Sequence, residues 1–151
     1  MKFIGIDPGK SGGIAMIYNG DAWAWKMPKQ ITEVHKILGD ITYAARAFCL
    51  LEFVHAMPGQ GVTSMFSFGE NYGMLQGVLT ADYIDFELVT PQKWQKEFEL
   101  ISPGLTKTEK KNKNKQAAIK LYPTHRGPKG KITHATADAI LIAEYARRVY
   151  E

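Results

Sequence analysis

The sequence predicts an α/β fold: a mixed five-stranded sheet, three antiparallel strands followed by parallel ones, with helices flanking it. Three observations carry that expectation. Three short apolar runs are packed into the first 26 residues and separated by the turn signals Pro8-Gly9, Gly12-Gly13 and Asn19-Gly20. Segments with helical spacing then alternate with short apolar strands. One of those strands, Phe48 to Val54, is a nearly continuous apolar run of the kind found in sheets covered on both faces.

Phe3, Ile4 and Ile6 read as a first buried strand that ends at Asp7, where Pro8-Gly9 begins a glycine-rich turn. Asp7 is thereby either a turn-capping carboxylate or a strand-end metal ligand, and the same strand, Asp and glycine turn also opens sugar kinases and actin-like ATPases. Ile14 to Tyr18 is the second strand. Asn19-Gly20 suits a two-residue hairpin into the third, Ala22 to Trp25, whose tryptophans Trp23 and Trp25 share a face and are expected to pack in the core. From Gln30 to Arg46, Ile31, Val34, Ile37, Leu38, Ile41 and Ala45 recur at helical spacing and predict a crossover helix.

Glu52 interrupts the apolar strand that follows. An acid there is costly to bury unless it is paired, protonated or bound to a cation, so Glu52 is a site candidate, with a structural ion pair as the alternative. After a loop over His55 to Thr63, a helix is expected over Ser64 to Tyr83, capped by Ser64. Gly69, Gly73 and Gly77 form a stripe on it that implies close packing, against the sheet or against a second subunit, the sheet being the simpler.

Ile84 to Val89 is the fifth strand, and Thr90-Pro91 has the cap-and-first-residue pattern of a helix start. Lys113 to Tyr122 is expected to be helical and Pro123 to Lys131 a mobile loop. The last helix, Thr133 to Tyr150, carries His134 and Asp138 four apart on one face, with Asp138 set among Ala135, Ala137 and Ala139.

At 151 residues and 45% apolar content, residues 1–151 suit a single domain with a substantial core. No run reaches the length of a membrane span and no leader pattern opens the chain, so a soluble protein with no membrane partner is expected, bacterial cytoplasmic or in the host cytoplasm if phage-encoded. The single cysteine, Cys49, lies in an apolar run and reads as a buried thiol; one cysteine and scattered histidines exclude a zinc cluster. The net charge of +4 is uneven: from Lys107 to Lys131, eight lysines and Arg126 face the single acid Glu109. That segment carries +8 and leaves the rest of the chain at −4. It is either a solvated face or a polyanion-binding surface, the latter favoured by the asymmetry.

Asp7, Glu52 and Asp138 could converge at one sheet edge and hold hard divalent cations, Mg2+ or Mn2+, two of which can activate water and stabilise the leaving oxygen of a phosphodiester. His134 adds a nitrogen ligand or proton donor, or is merely packed or solvated. Phe66, or His55 and Met57 before it, could stack on an unpaired base, with a core position the alternative for Phe66.

Phe3-Ile4-Gly5-Ile6-Asp7-Pro8-Gly9, Leu51-Glu52, the helix from Phe68-Gly69 to Gly77, and Ala137-Asp138-Ala139 together resemble the RuvC family of Holliday-junction resolvases in the RNase H-like superfamily, its phage types included. The resemblance implies an RNase H-like fold, a homodimer acting on branched DNA, and magnesium-dependent, structure-selective paired nicking of four-way junctions. It implies Asp7, Glu52 and Asp138 as metal ligands. The family's fourth ligand stands three residues before the last Asp, which here is Ala135, so His134 is the nearest substitute for a second metal. Lysines before the last helix contact phosphates in the family, making Lys110, Lys111, Lys113 and Lys115, with Arg126, the nucleic-acid-binding candidates. A junction-binding module without catalysis is the rival reading, and an ATPase a weaker one, because that fold needs two such domains.

Overall fold

The computed structural model describes residues 1–151. In chain order the elements are β1 (Lys2–Asp7), β2 (Gly13–Tyr18), β3 (Asp21–Lys26), α1 (Ile31–Thr42), β4 (Ala47–Glu52), α2 (Val62–Ala81), β5 (Asp85–Val89), α3 (Pro91–Glu97), α4 (Lys107–Leu121) and α5 (His134–Tyr150). The five strands form one sheet in the order β3-β2-β1-β4-β5. β1, β2 and β3 pair antiparallel, while β1–β4 and β4–β5 are parallel, as the sequence predicts.

Side-chain alternation along the strands divides the core into two layers. Ile4 and Ile6 of β1, with Cys49 and Leu51 of β4, pack beneath α1 and α2. Phe3 and Leu50 point the other way and pack with Trp94 of α3, Ala118 of α4 and the apolar side of α5. Trp23 and Trp25 join the first of these layers half-buried, consistent with core packing. On the second, Gly5 makes room for α5: a Cβ there would stand 2.3 Å from both Ala139 O and Ala143 N. Gly13 does the same beneath Ala135, whose carbonyl oxygen a Cβ would approach to 2.3 Å. No helix is long and apolar enough to cross a membrane.

Several boundaries differ from expectation, each for a local reason. α1 stops at Thr42 rather than Arg46, since Thr42 Oγ1 bonds back to Leu38 O and Ala44 takes a left-handed φ of 63°. α2 begins after Gly61 instead of being capped by Ser64 and ends at Ala81. Its stripe Gly69, Gly73, Gly77 meets nothing within 4 Å, so it does not pack on the sheet and faces outward. α4 begins at Lys107, six residues before the expected start, because Thr106 and Glu109 form a reciprocal capping box.

Pro123 to Lys131 is no loose loop. Arg126 N donates to Ala22 O at 2.8 Å, and buried His125 accepts from Gly127 N and donates through Nε2 to Lys131 O. Gly127 lies so close to Ala24 that a Cβ would sit 2.1 Å from its carbonyl oxygen. The segment covers the β3 edge, which would otherwise be open to strand addition.

Candidate active site

Asp7 and Glu52 each end a strand. β1 and β4 are neighbours in parallel register, Ile6 opposite Leu51, so the next residue of each chain is a carboxylate at the same edge of the sheet. Asp7 shares the face of Phe3 and Gly5, and Glu52 the face of Leu50; α5 packs on that face. Glu52 thus closes β4, rather than lying inside a strand that runs on to Val54. Gly5 brings the α5 backbone down at Ala139, and Asp138, one residue earlier, joins the pair.

The three acids perturb one another. Burial, then the charges of Glu52 and Asp138, raises the Asp7 carboxyl well above its usual range. Burial and Asp138 push Glu52 up to about 7. Asp7 and Glu52 are near enough for a protonated carboxyl of one to donate to the other. Burial raises Asp138 too, opposed by Asn114, Lys111 and His134. Three clustered oxygen donors suit a hard divalent cation in type and charge. As placed, their side chains do not close into a three-ligand cage.

Residues that the sequence did not single out hold this cluster. Asn114 Nδ2 donates to Asp138 Oδ1 at 2.9 Å, and Asn112 Oδ1 meets His134 Nε2 at 2.8 Å. The buried Trp94 Nε1 lies beside Glu52 and helps its ionised form, without reaching full hydrogen-bond geometry with any acceptor. The Tyr72 hydroxyl, also without a partner, is near Glu52 and the Val54 backbone. The capping-box spacing Thr106-x-x-Glu109 was the available signal for Asn114, since a helix starting at Lys107 sets Lys111, Asn114 and Ala118 on one stripe.

The basic candidates separate. Lys111 is close enough to lower both Asp7 and Asp138. Lys110 is exposed and Lys115 half-buried, and neither has a hydrogen-bonding partner. Lys113 is tethered: its Nζ donates to Glu99 O at 3.1 Å and to the Ser102 hydroxyl, holding the loop before α4. Two helical positions from Lys111 is 200° of rotation, which turns Lys113 to the other side. Arg126 lies apart from these lysines. It pairs with Asp21 at 2.9 Å and lies over the Trp23 ring, at the end of the sheet opposite the carboxylates.

Phe66 is 74% exposed on the first turns of α2, so it is not core. Met57 and Phe53 are exposed in and beside the preceding loop, with Phe53 stacked on His55. Phe68 and Tyr72 stack along the same helix, and Phe68 reaches Gly9 of the turn after Asp7. An aromatic rim therefore borders the acidic cluster.

No protein-family model and no curated protein sequence matches this chain. Among solved structures it is similar to T. thermophilus RuvC in complex with Holliday junction substrate, with a TM-score of 0.64 at 13% identity over 99% of this chain and 97% of that one. A second Thermus thermophilus RuvC structure gives 0.60 at 14% identity over the same shares. The chain has a RuvC-like fold of the RNase H type.

Proposed function

We propose that the protein is a magnesium-dependent, structure-selective DNA endonuclease that resolves four-way junctions by paired symmetric nicks. The observation that carries this reading is the convergence of Asp7, Glu52 and Asp138 at one sheet edge of a RuvC-like fold. The similar protein's complex with a Holliday junction substrate supports branched DNA as the partner.

Asp7, Glu52 and Asp138 would hold Mg2+ or Mn2+, with His134 adding a ligand toward a second ion. Bound, the metal supplies water activation and stabilisation of the leaving oxygen. Lys111 places a positive charge beside the carboxylates, suited to a scissile phosphate, and Lys110 and Lys115 extend that charge along α4. Phe66 is exposed where it can stack on an unpaired base. Paired nicks need two sites, and each chain offers one set of acids, so the working unit is a homodimer. The outward Gly69, Gly73, Gly77 stripe is available to a second subunit.

A binding module would not need three acids in one partly buried cluster, where Glu52 and Asp138 raise the cost of ionising Asp7 and Asp138 that of ionising Glu52. Incubation with a synthetic four-way junction, with and without magnesium, tests the reading. Symmetric nicks that require the metal are expected; binding without cleavage at any magnesium concentration would leave only the module. Light scattering of free and junction-bound protein reads the dimer, and a monomer in both would sink the paired-nick mechanism.

The perturbed acids also set a pH dependence. Glu52, at about 7 against an ordinary 4.5, holds a proton that a cation must displace. Mn2+ affinity is therefore expected to climb between about pH 6 and 8, by up to tenfold per unit below the Glu52 value, with proton release measurable by calorimetry in buffers of different ionisation enthalpy. Metal-free stability runs the opposite way. The folded-state value lies above the unfolded one, so stability present below pH 4.5 is lost as pH rises through about 7. A flat affinity profile would separate Glu52 from the cation.

A further inference from the structure

Two buried side-chain donors lie against the carboxylates and have no part in the chemistry described above. Asn114, 7% exposed in the middle of α4, donates through Nδ2 to Asp138 Oδ1. A carboxylate can only accept, so the amide nitrogen must face it, and the bond occupies Oδ1 while leaving Oδ2 free. Trp94, 0% exposed on α3, can only donate, and its Nε1 has no partner at full hydrogen-bond geometry.

A buried indole N–H left unpaired carries a desolvation cost that a phenylalanine at the same place would avoid. Its position follows from the topology. Val89 of β5 pairs with Glu52 of β4, α3 starts immediately afterwards at Pro91, and its first turn carries Trp94 to the Glu52 carboxyl. Asn114 arrives from a different element, on the α4 stripe with Lys111 and Ala118. Each of two acids thus has its own interior donor, delivered by a separate helix.

We infer that Asn114 and Trp94 are positioning residues of the carboxylate site: Asn114 fixes Asp138 through Oδ1 and leaves Oδ2 to a divalent cation, and the unpaired Trp94 N–H, brought to the end of β4 by the β5–α3 turn, is the donor available to Glu52 when a cation is bound. The inference rests on the cation site proposed above and adds which residues orient its ligands. Donors behind ligating groups set their orientation, and losing one typically weakens metal binding 10- to 100-fold. The Asn112–His134 bond is formed in solvent and is expected to contribute less.

The test is Mn2+ titration calorimetry at pH 8 on the full chain, on Asn114→Leu and on Trp94→Phe, with circular dichroism and a metal-free melt on each. Leu approximates the shape of Asn and Phe keeps an aromatic ring in place of the larger indole, and both remove the donor. Folded variants binding Mn2+ about 10- to 100-fold more weakly than the wild type are the expected result, with Asn114→Thr, which retains a hydroxyl donor, recovering part of the loss. Should Asn114→Leu not fold, Asn114→Ala takes its place with the same expected loss. A folded variant at either position that binds as tightly as the wild type overturns the two-donor arrangement and leaves the proposed nuclease reading standing. Absence of Mn2+ binding by the wild type instead removes the cation site, and the inference with it.

Discussion

Asp7→Asn is expected to reduce strand cleavage by at least about a thousandfold, leave junction binding nearly intact, and raise the melting temperature of the metal-free protein. The first effect follows from forfeiting a charged ligand: a metal ion contributes several kcal/mol of transition-state stabilisation, and each tenfold in rate is about 1.4 kcal/mol. Binding is expected to survive because the phosphate contacts proposed above lie on α4, which the substitution does not touch. The third effect separates a functional acid from a structural one. Asp7 is half-buried beside Glu52 and Asp138, both of which raise its carboxyl, so an amide, which never ionises, avoids the cost that the fold bears whenever Asp7 carries charge. Cleavage, gel-shift and thermal-melt measurements on one preparation read all three. Full cleavage by the variant would take Asp7 out of the site. Loss of activity accompanied by a lower melting temperature would make it a turn-stabilising residue.

Replacing Lys110, Lys111 and Lys115 together by Gln is expected to flatten the salt dependence of junction binding by about three units of slope, since each phosphate contact contributes about 0.9. Lys113→Gln should leave that slope unchanged. Its ammonium is committed to Glu99 and Ser102, so its loss should appear as a small fall in stability, under about 1 kcal/mol, from a loosened loop. Titrations at several salt concentrations, in EDTA to suppress cleavage, distinguish the two. An unaltered slope in the triple variant would make the α4 lysines a solvated face, and a flattened slope in Lys113→Gln would return that residue to the DNA surface.

The contrast between these lysines shows where local pattern stops. Read as a charge run, all four are equivalent; a helix from Lys107 turns Lys111 toward the acids and Lys113 away from them. The helix start was legible in Thr106-x-x-Glu109, but the segment is too polar for apolar periodicity to announce it. Arg126 likewise reads as one more basic residue until Arg126 N pairs with Ala22 O and places its guanidinium against Asp21.

What the sequence by itself determined is the succession of elements and the presence of misplaced acids. Period-two and helical spacing, with glycine and proline punctuation, are local properties, and each strand of the mixed sheet could be read from its own residues. Asp7 at a strand end, Glu52 interrupting an apolar run and Asp138 among alanines were visible because each breaks the pattern around it. Only the tertiary structure decided that they meet. That depends on the β1–β4 register, on the shared parity of Asp7 and Glu52 with Phe3 and Leu50, and on Gly5 letting α5 settle against the sheet. The donors behind the acids were hidden for the same reason. The capping box sets Asn114 on a stripe of α4, but nothing local marks it or Trp94 as a donor, because what makes a buried amide or indole necessary is the carboxylate that a different element brings to it.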